Sequence, residues 1–292
     1  LDPGETVEDH FAVRNVSAQT VEFALTAADG FYTRNGRFDI LASGEESVAA
    51  GTWIDIPESV TVGAGETAVV PYSITVPENA EPGDHAAGIT ASVLSVQEGD
   101  GAAVGVESRV GFRVTTRVTG ELTPAAEIQN LSGDYALSWN PFRPGDLTVS
   151  FDVENTGNTI LLAQGNVAAG GRDAVFPGPN EQAQELLRGD TRSLSVVVDD
   201  VWPLFLLPTT VTVAATVITM EGEQSTLEPV TAEVLVWAVP WPQLMLLAGI
   251  GLLILALVWG RRRSKKRLQG MLDQAREEGR RAADDDVNAD AS

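Results

Sequence analysis

The 292-residue sequence contains no cysteine. This absence excludes disulfide bonds, thiol nucleophiles, zinc–thiolate sites and lipid attachment through an N-terminal cysteine. An exported chain without disulfides must rely on core packing, which domains of more than about 100 residues can provide. The chain is long enough for two such domains before its C-terminal apolar segment.

Cations are scarce over most of the chain, and the only two lysines are Lys265 and Lys266. Residues 261–292 contain 9 basic and 7 acidic residues, so residues 1–260 hold 10 of the 19 cations and 34 of the 41 anions, a net charge of −24. A surface this acidic repels nucleic acid and anionic lipid. The sequence therefore predicts that nucleic acid is not a partner.

Sequence patterns typical of catalysis and metal binding are also lacking. The chain has only two histidines, His10 and His85, and no serine lies in a Gly-x-Ser-x-Gly turn. Acidic pairs such as Asp199-Asp200 lack the spacing of a calcium loop. Phosphate-binding glycine loops need a strand-to-helix step, and no helix is predicted before the apolar segment. We therefore predict a protein that is not an enzyme and that uses no cofactor or metal.

One long apolar segment is present, because no charged residue lies in the 27 positions between Glu233 and Arg261. At about 1.5 Å per residue, the 19 residues from Trp241 to Trp259 span about 28 Å, which matches the hydrocarbon core of a bilayer. Residues 241–260 are therefore predicted to form a transmembrane helix in the lipid bilayer. Trp241 and Trp259 are predicted to lie at its two membrane interfaces, where tryptophan is enriched.

A cluster of basic residues follows this segment and predicts its orientation. Such stop-transfer clusters stay in the cytoplasm, so residues 261–292 are expected to form a short, partly helical cytoplasmic tail and the preceding domains to be extracellular. Because no signal sequence precedes Leu1, we expect either that a signal was removed or that the sequence begins inside the mature protein. The stop-transfer residues are Arg261, Arg262, Arg263, Lys265, Lys266 and Arg267.

Before the membrane segment, short segments with apolar residues at alternate positions are separated by glycine and proline turns. Residues 70–76 show this alternation, which is typical of half-buried strands, and turns such as Pro82-Gly83 recur at the spacing of β-sandwiches. The predicted fold class is all-β. It has two tandem Ig-like β-sandwich domains, at 1–118 and 119–238.

The two predicted domains repeat the same signals. Residues 11–15 (FAVRN) are matched by 151–155 (FDVEN), and residues 65–67 (GET) by 189–191 (GDT). We therefore predict one sandwich used twice, as tandem domains rather than as a solenoid. The asparagine that ends each Phe-x-Val-x-Asn strand is predicted to be a turn former whose side chain bonds nearby backbone.

The clearest predicted strand, residues 105–118, carries three cations on one face. At about 3.4 Å per residue, Arg109 and Arg117 lie about 27 Å apart with Arg113 midway between them. Two interpretations are open. The stripe binds an anionic wall polymer or a carboxylate-bearing peptide, or the arginines pair with acids on neighbouring strands.

The order of several motifs resembles a known family. Residues 2–5 (DPGE) are followed by 52–54 (TWI), then by 82–89 (PGDHAAGI) and 109–111 (RVG). Over about residues 1–118, this order resembles the N-terminal, peptidoglycan-binding domain of the WxL-interacting proteins of Gram-positive bacteria. In that family the first strand lies upstream of the Pro-Gly turn, so we expect the first domain here to lack it.

The resemblance implies that the first domain binds peptidoglycan and, by architecture alone, that the second helps to hold WxL-type surface proteins as partners. The predicted function is a non-enzymatic, single-pass cell-membrane protein that binds peptidoglycan or another cell-wall polymer and tethers or scaffolds surface proteins. Two alternatives stay open: a passive Ig-like stalk or accessory subunit of a membrane complex, and a carbohydrate-active enzyme fragment. The apolar stretch 201–208 is expected to cap its sandwich or to pack on the neighbouring domain, rather than to form an exposed interaction patch.

Overall fold

The computed structural model describes residues 1–33, 36–42, 44–99, 102–179, 181–218, 224–261 and 271–272. Within these ranges the chain forms two β-sandwiches in succession, followed by one long helix. Every strand pairing given for these residues is antiparallel. The predicted all-β, Ig-like fold class is confirmed.

The first sandwich is built from two sheets. Its strands are β1 (Thr6–Arg14), β2 (Val21–Tyr32), β3 (Phe38–Ile40), β4 (Ile54–Asp55), β5 (Ser59–Val62), β6 (Thr67–Thr75), β7 (Gly83–Gly99) and β8 (Ala102–Val118). One sheet has the order β1-β6-β4, and the other has the order β3-β2-β7-β8 with β5 also pairing β2. Strands β7 and β8 form one long hairpin.

The core between these sheets is small. Its main cluster of buried side chains consists of Val13, Leu25, Val62 and Val70, and Phe11 packs against this cluster. The alternation predicted along β8 is present, since its inward face is buried at 114, 116 and 118. The same face is exposed towards the middle of β8, so this sandwich is closed at one end only.

The second sandwich repeats this plan with one more strand. Its first sheet has the order β14-β10-β9; in its second sheet β11 pairs β12, β13 and β15, and β15 also pairs β16 and β17. The strands are β9 (Ala126–Ala136), β10 (Gly145–Asn155), β11 (Leu161–Ala169), β12 (Arg172–Phe176), β13 (Gln184–Leu186), β14 (Thr191–Val201), β15 (Phe205–Ile218), β16 (Gln224–Thr226) and β17 (Val230–Ala238).

The core of the second sandwich is larger and continuous. Leu147, Val149, Phe151 and Val153 point inward from β10, where each is 2% exposed or less, and they pack on residues from both sheets. Burial of side chains of this size stabilises the fold by about 1.5–3 kcal/mol each.

The predicted duplication is present at atomic detail. Asn15 donates from its side-chain amide to the carbonyls of Gln19 (2.7 Å) and Val62 (3.0 Å). Asn155 donates in the same way to the carbonyls of Thr159 (2.7 Å) and Leu186 (3.0 Å). Both asparagines are buried, and the prediction that they organise the adjoining turns is confirmed.

The long helix, Trp241–Arg261, begins only two residues after β17 ends. It is the described helix whose length and apolar composition suit a membrane crossing, and none of its apolar window is buried against the rest of the protein. Trp241 and Trp259 are exposed near its two ends, and Arg261 is exposed at its last position. The other predicted stop-transfer residues lie outside the described residues: Arg262, Arg263, Lys265, Lys266 and Arg267.

Candidate functional site

The predicted arginine stripe runs along β8, but its three members have different surroundings. Arg117 forms a two-point ion pair with Asp84, its register partner on β7, with distances of 2.5 Å from Nε and 2.8 Å from Nη2. Arg113 donates to the carboxylate of Glu185 in the second sandwich. Arg109 lies exposed on the strand surface. Pairing with acids therefore describes Arg113 and Arg117, while binding of a wall polymer by Arg109 stays a prediction.

Asp84 joins the two sandwiches. It is 5% exposed, and besides Arg117 its carboxylate accepts a hydrogen bond from the backbone N–H of Ile160 (2.8 Å). The backbone N–H of Asp84 donates to the carbonyl of Asn158 (2.8 Å). A charge-assisted hydrogen bond to a buried carboxylate is worth about 1.5–3 kcal/mol. This residue of the Pro-Gly-Asp-His motif therefore has a structural role between the domains.

The glycine of the same motif is required by this close approach. Gly83 has φ +122°, and a Cβ added there would lie 2.0 Å from the carbonyl oxygen of Asn158. The side chain of Asn158 in turn donates to the carbonyls of Pro82 (3.1 Å) and Glu121 (2.9 Å). Asn158 of the second sandwich therefore bonds both the Pro82-Gly83 turn of the first sandwich and the segment that connects the two domains.

A second set of contacts also joins the two sandwiches. Arg192, which is 8% exposed, donates to the carbonyl of Thr33 (2.7 Å) and lies over the ring of Tyr32 at 5.5 Å. The Tyr32 hydroxyl donates to Glu185 and accepts from Arg113 (2.8 Å). Burial raises the pKa of the Tyr32 hydroxyl, and the adjacent Glu185 acts in the same direction. The phenol therefore stays protonated as a donor at neutral pH.

These junction residues carry no local sequence signal. The bond from Tyr32 to Glu185 joins residues 153 positions apart, and the bond from Arg192 to Thr33 joins residues 159 positions apart. Neither Glu185 nor Arg192 lies in a sequence motif, because the packing of two separate domains brings each of them to the junction. In the sequence, Arg113 and Arg117 stood out as parts of a stripe and Pro82-Gly83 as a turn, and none of these patterns indicated a junction between domains.

The arrangement contains no catalytic constellation among the residues that the structure describes. His10 is exposed on β1 beside Asp9. The ring of His85 packs against that of Trp53 in a tilted arrangement with centroids 4.6 Å apart, and its Nε2 lies 2.8 Å from the carbonyl oxygen of Glu81. Within the described ranges no three His, Asp or Glu side chains are placed to hold a metal ion.

The open side of the first sandwich forms an apolar groove of about 500 Å³ between β1 and β8. Phe112 is 40% exposed there and Val110 is 79% exposed. Among the described strands, β1 pairs only β6 and β8 pairs only β7, so both strands present an unpaired edge to the groove. The backbone of Leu1 forms hydrogen bonds to the backbone of residues 117 and 119, and it therefore covers only the last residues of the β8 edge. The groove is lined mainly by Phe11, Val13, Phe23, Ile89, Val110 and Phe112.

The second sandwich shows what fills the corresponding position. There β9 pairs along β10, the counterpart of β1, and lies against β17, the counterpart of β8. The approach is close, since a Cβ on Gly133 would lie 2.4 Å from the side chain of Val236. In the described part of the first sandwich, no strand takes this position. The groove therefore lies at the position that β9 takes in the second sandwich.

Comparisons with known proteins bear on the fold alone. No protein-family model and no curated protein matches this sequence. The chain is similar to the crystal structure of the CupB2 chaperone of Pseudomonas aeruginosa, at 12% identity over 80% of this chain and 92% of that one, with a TM-score of 0.33. It is also similar to the E. coli chaperone DraB, at 10% identity over 80% of this chain and 93% of that one, with a TM-score of 0.34.

Proposed function

We propose that this protein is a non-enzymatic, single-pass tether of the cell membrane. Its two sandwiches lie outside the cell and its tail lies inside. The observation that carries the proposal is the direct continuity from β17 into the exposed apolar helix Trp241–Arg261, combined with a junction that fixes the two sandwiches to each other. Such a molecule holds a binding surface at a set height above the bilayer, and it has no linker that would make that height variable.

We further propose that the wall ligand is peptidoglycan, as in the WxL-interacting proteins that residues 1–118 resemble. The exposed Arg109 is the member of the predicted stripe that is available for an anionic group on the polymer. The ion pairs of Arg113 and Arg117 support a structural role for these two residues, so replacing all three arginines together would also disturb the junction.

The test is retention of the full chain, in detergent micelles, on purified insoluble peptidoglycan. We expect retention above that of an unrelated acidic protein, and we expect Arg109→Ser to weaken it about tenfold, the effect of losing one charge-assisted contact. Arg172→Ser, at an exposed position of the second sandwich, is the matched control. No retention above the acidic protein would favour the passive stalk.

The orientation in the membrane can be tested by cysteine labelling, because the sequence contains no native cysteine that would also react. Single cysteines at Ser225, exposed on β16, and at Ser292, the last residue, are treated in intact cells with a maleimide that does not cross membranes. We expect labelling at 225 only. Labelling at 292 only would reverse the proposed topology.

A further inference from the structure

Exposed aromatic side chains collect at one end of the second sandwich. Four of the six tryptophans of the chain are in this group, and none of them is buried. Trp139 and Trp237 are each 71% exposed, and Phe142 is 75% exposed. Large aromatic side chains are costly to leave in water, and a contiguous exposed set marks a binding surface. We call this set the aromatic end; it consists of Trp139, Phe142, Trp202, Leu204, Phe205, Trp237 and Trp241.

The topology explains why these residues meet although they are distant in sequence. Val201, the last residue of β14, pairs with Gly145 at the start of β10, whose next residue pairs with the last residue of β9. Phe205, the first residue of β15, pairs with Ala238, the last of β17. The loops 137–144 and 202–204 and the start of the helix therefore leave the sandwich at one common end.

The prediction that the stretch 201–208 caps the sandwich is wrong for most of its apolar residues. Pro203 and Leu207 are buried, but Trp202 is 46%, Leu204 60% and Phe205 50% exposed. Phe205 also has φ +68°, a conformation that side chains other than glycine and asparagine rarely adopt. The fold thus retains a strained backbone at a position where an aromatic side chain faces outward.

One hydrogen bond holds the loop of the aromatic end beside the first turn of the helix. The side-chain amide of Gln243, in the first turn of the helix, donates to the carbonyl of Pro141 (3.2 Å). Pro240 and Pro242 on either side of Trp241 are buried, so the helix start is packed on the sandwich. If Trp241 lies at the interface of the bilayer, then the loop carrying Trp139 and Phe142 lies at the same depth.

The chemistry of the aromatic end suits that location. Tryptophan and phenylalanine partition to the boundary between headgroups and acyl chains, where an apolar ring can lie beside a hydrated region. Arg143 is exposed in the same loop, but two acidic residues, Asp146 near the start of β10 and Asp200 near the end of β14, are exposed at this end too. The net charge offers no general attraction to anionic lipid, so contact rests on apolar insertion.

We propose that the aromatic end of the second sandwich inserts into the outer interface of the membrane that the helix crosses. The partner is the lipid headgroup and upper acyl region of that leaflet. This inference rests on the proposed anchor function, because it requires the helix to span the bilayer. Its consequence is a second sandwich seated on the lipid, with the first sandwich projected away from the membrane by the fixed junction.

The test uses the full chain in phosphatidylcholine vesicles. A single cysteine replaces Arg143 or, as control, Ser225 on β16, which pairs with the opposite end of β15. The cysteine carries an environment-sensitive fluorophore, and the vesicles contain lipids with a nitroxide near the headgroup. Because interfacial residues lie at headgroup depth, we expect about twofold or greater quenching at 143 and none at 225. Equal and negligible quenching at both positions would overturn the proposal.

A paired variant separates insertion by the aromatic end from mere nearness to the helix. Trp139→Ser with Phe142→Ser changes two side chains that are mostly in solvent, so the fold should persist. We expect quenching at 143 to fall to the level at 225, and unchanged quenching would overturn the proposal. Flotation of the vesicles is measured in parallel. A protein that fails to float lacks the anchor itself, whereas one that floats without quenching at 143 keeps the anchor and refutes only the aromatic contact.

Discussion

Phe11 and Phe151 occupy the same position in two copies of one strand, yet they have different surroundings. Phe151 is 2% exposed and packs on Phe176 with ring centroids 5.2 Å apart. Phe11 borders the groove, and its partner Phe112, at 5.4 Å, is itself 40% exposed. The difference arises because β9 covers the second sandwich and no described strand covers the first. One strand therefore decides whether the same sequence pattern gives a closed core or an open groove.

The turns, in contrast, are the same in both sandwiches. Asn15 and Asn155 make corresponding bonds to backbone carbonyls, and Gly65 and Gly189 precede the corresponding strands with positive φ of +70° and +74°. Each turn is organised by one asparagine, which bonds a carbonyl four residues further on and a second carbonyl at the end of another strand, and both copies keep this small set of contacts. Core closure depends on strands from the whole domain, and it differs between the two copies.

The largest expected effect compares the two phenylalanines. Phe151→Ala should lower the free energy of unfolding of its sandwich by about 3–5 kcal/mol, the usual cost of a cavity at a fully buried aromatic. Phe11→Ala should cost about half as much or less, because its site already opens to solvent. Chemical denaturation of each variant measures both values. Equal losses would contradict the view that the first sandwich is open.

Removing the charge of Asp84 tests the junction that joins the two sandwiches. Asp84→Asn leaves Arg117 partly buried without its carboxylate, so we expect a loss of about 3 kcal/mol. Spin labels on cysteines at Thr61 and Ser225 should show a broader distance distribution between the sandwiches than in the parent protein. Asp134→Asn, at an exposed position of β9, is the control and should change neither value. An unchanged distribution in the Asp84 variant would show that other contacts suffice.

The two buried asparagines should have similar effects. Asn15→Ala and Asn155→Ala each leave buried carbonyls without a donor, which costs about 1–3 kcal/mol per site. Thermal unfolding of each variant checks whether the two losses agree within error. A much larger loss at one site would mean that the duplicated turns are not equivalent in energy.

The smallest expected effect concerns the arginine stripe. Arg109→Ser should change the free energy of unfolding by about 0.5 kcal/mol or less, as is usual for an exposed residue away from a packed site. Arg113→Ser should cost more, because Glu185 and Tyr32 would lose their partner at the junction. Calorimetry on both variants separates them. Equal stability of the two would return Arg113 to the set of ligand-binding candidates.

Local patterns predicted much of the fold correctly. Alternation along residues 70–76 and 105–118 indicated strands, and these residues lie in β6 and β8 or directly after them. The repeat of Phe-x-Val-x-Asn indicated duplicated strands, which are β1 and β10. These predictions succeed because strand periodicity and turn formation depend on neighbours in sequence.

The contacts and the exposure of the candidate site residues were harder to predict from local sequence patterns. The spacing along β8 placed three arginines on one face, but it could not show that Glu185 and Asp84 would meet two of them. For the stretch 201–208, composition identified the apolar character but not the exposure. Burial depends on what the other chain segments cover, and that information is spread over both domains.

The all-β class, the duplication, the turn asparagines and an apolar segment long enough to cross a membrane were predictable from the sequence, because alternation, repeated motifs and apolar runs are visible as patterns of residue types. The structure was needed to show that Asp84 joins the sandwiches, that an apolar groove lies between β1 and β8, and that the exposed aromatic residues share one end with the helix. These features arise where strands and loops far apart in sequence end at the same place in space. The physical reason is that contacts between distant segments depend on packing, which no short stretch of residues encodes.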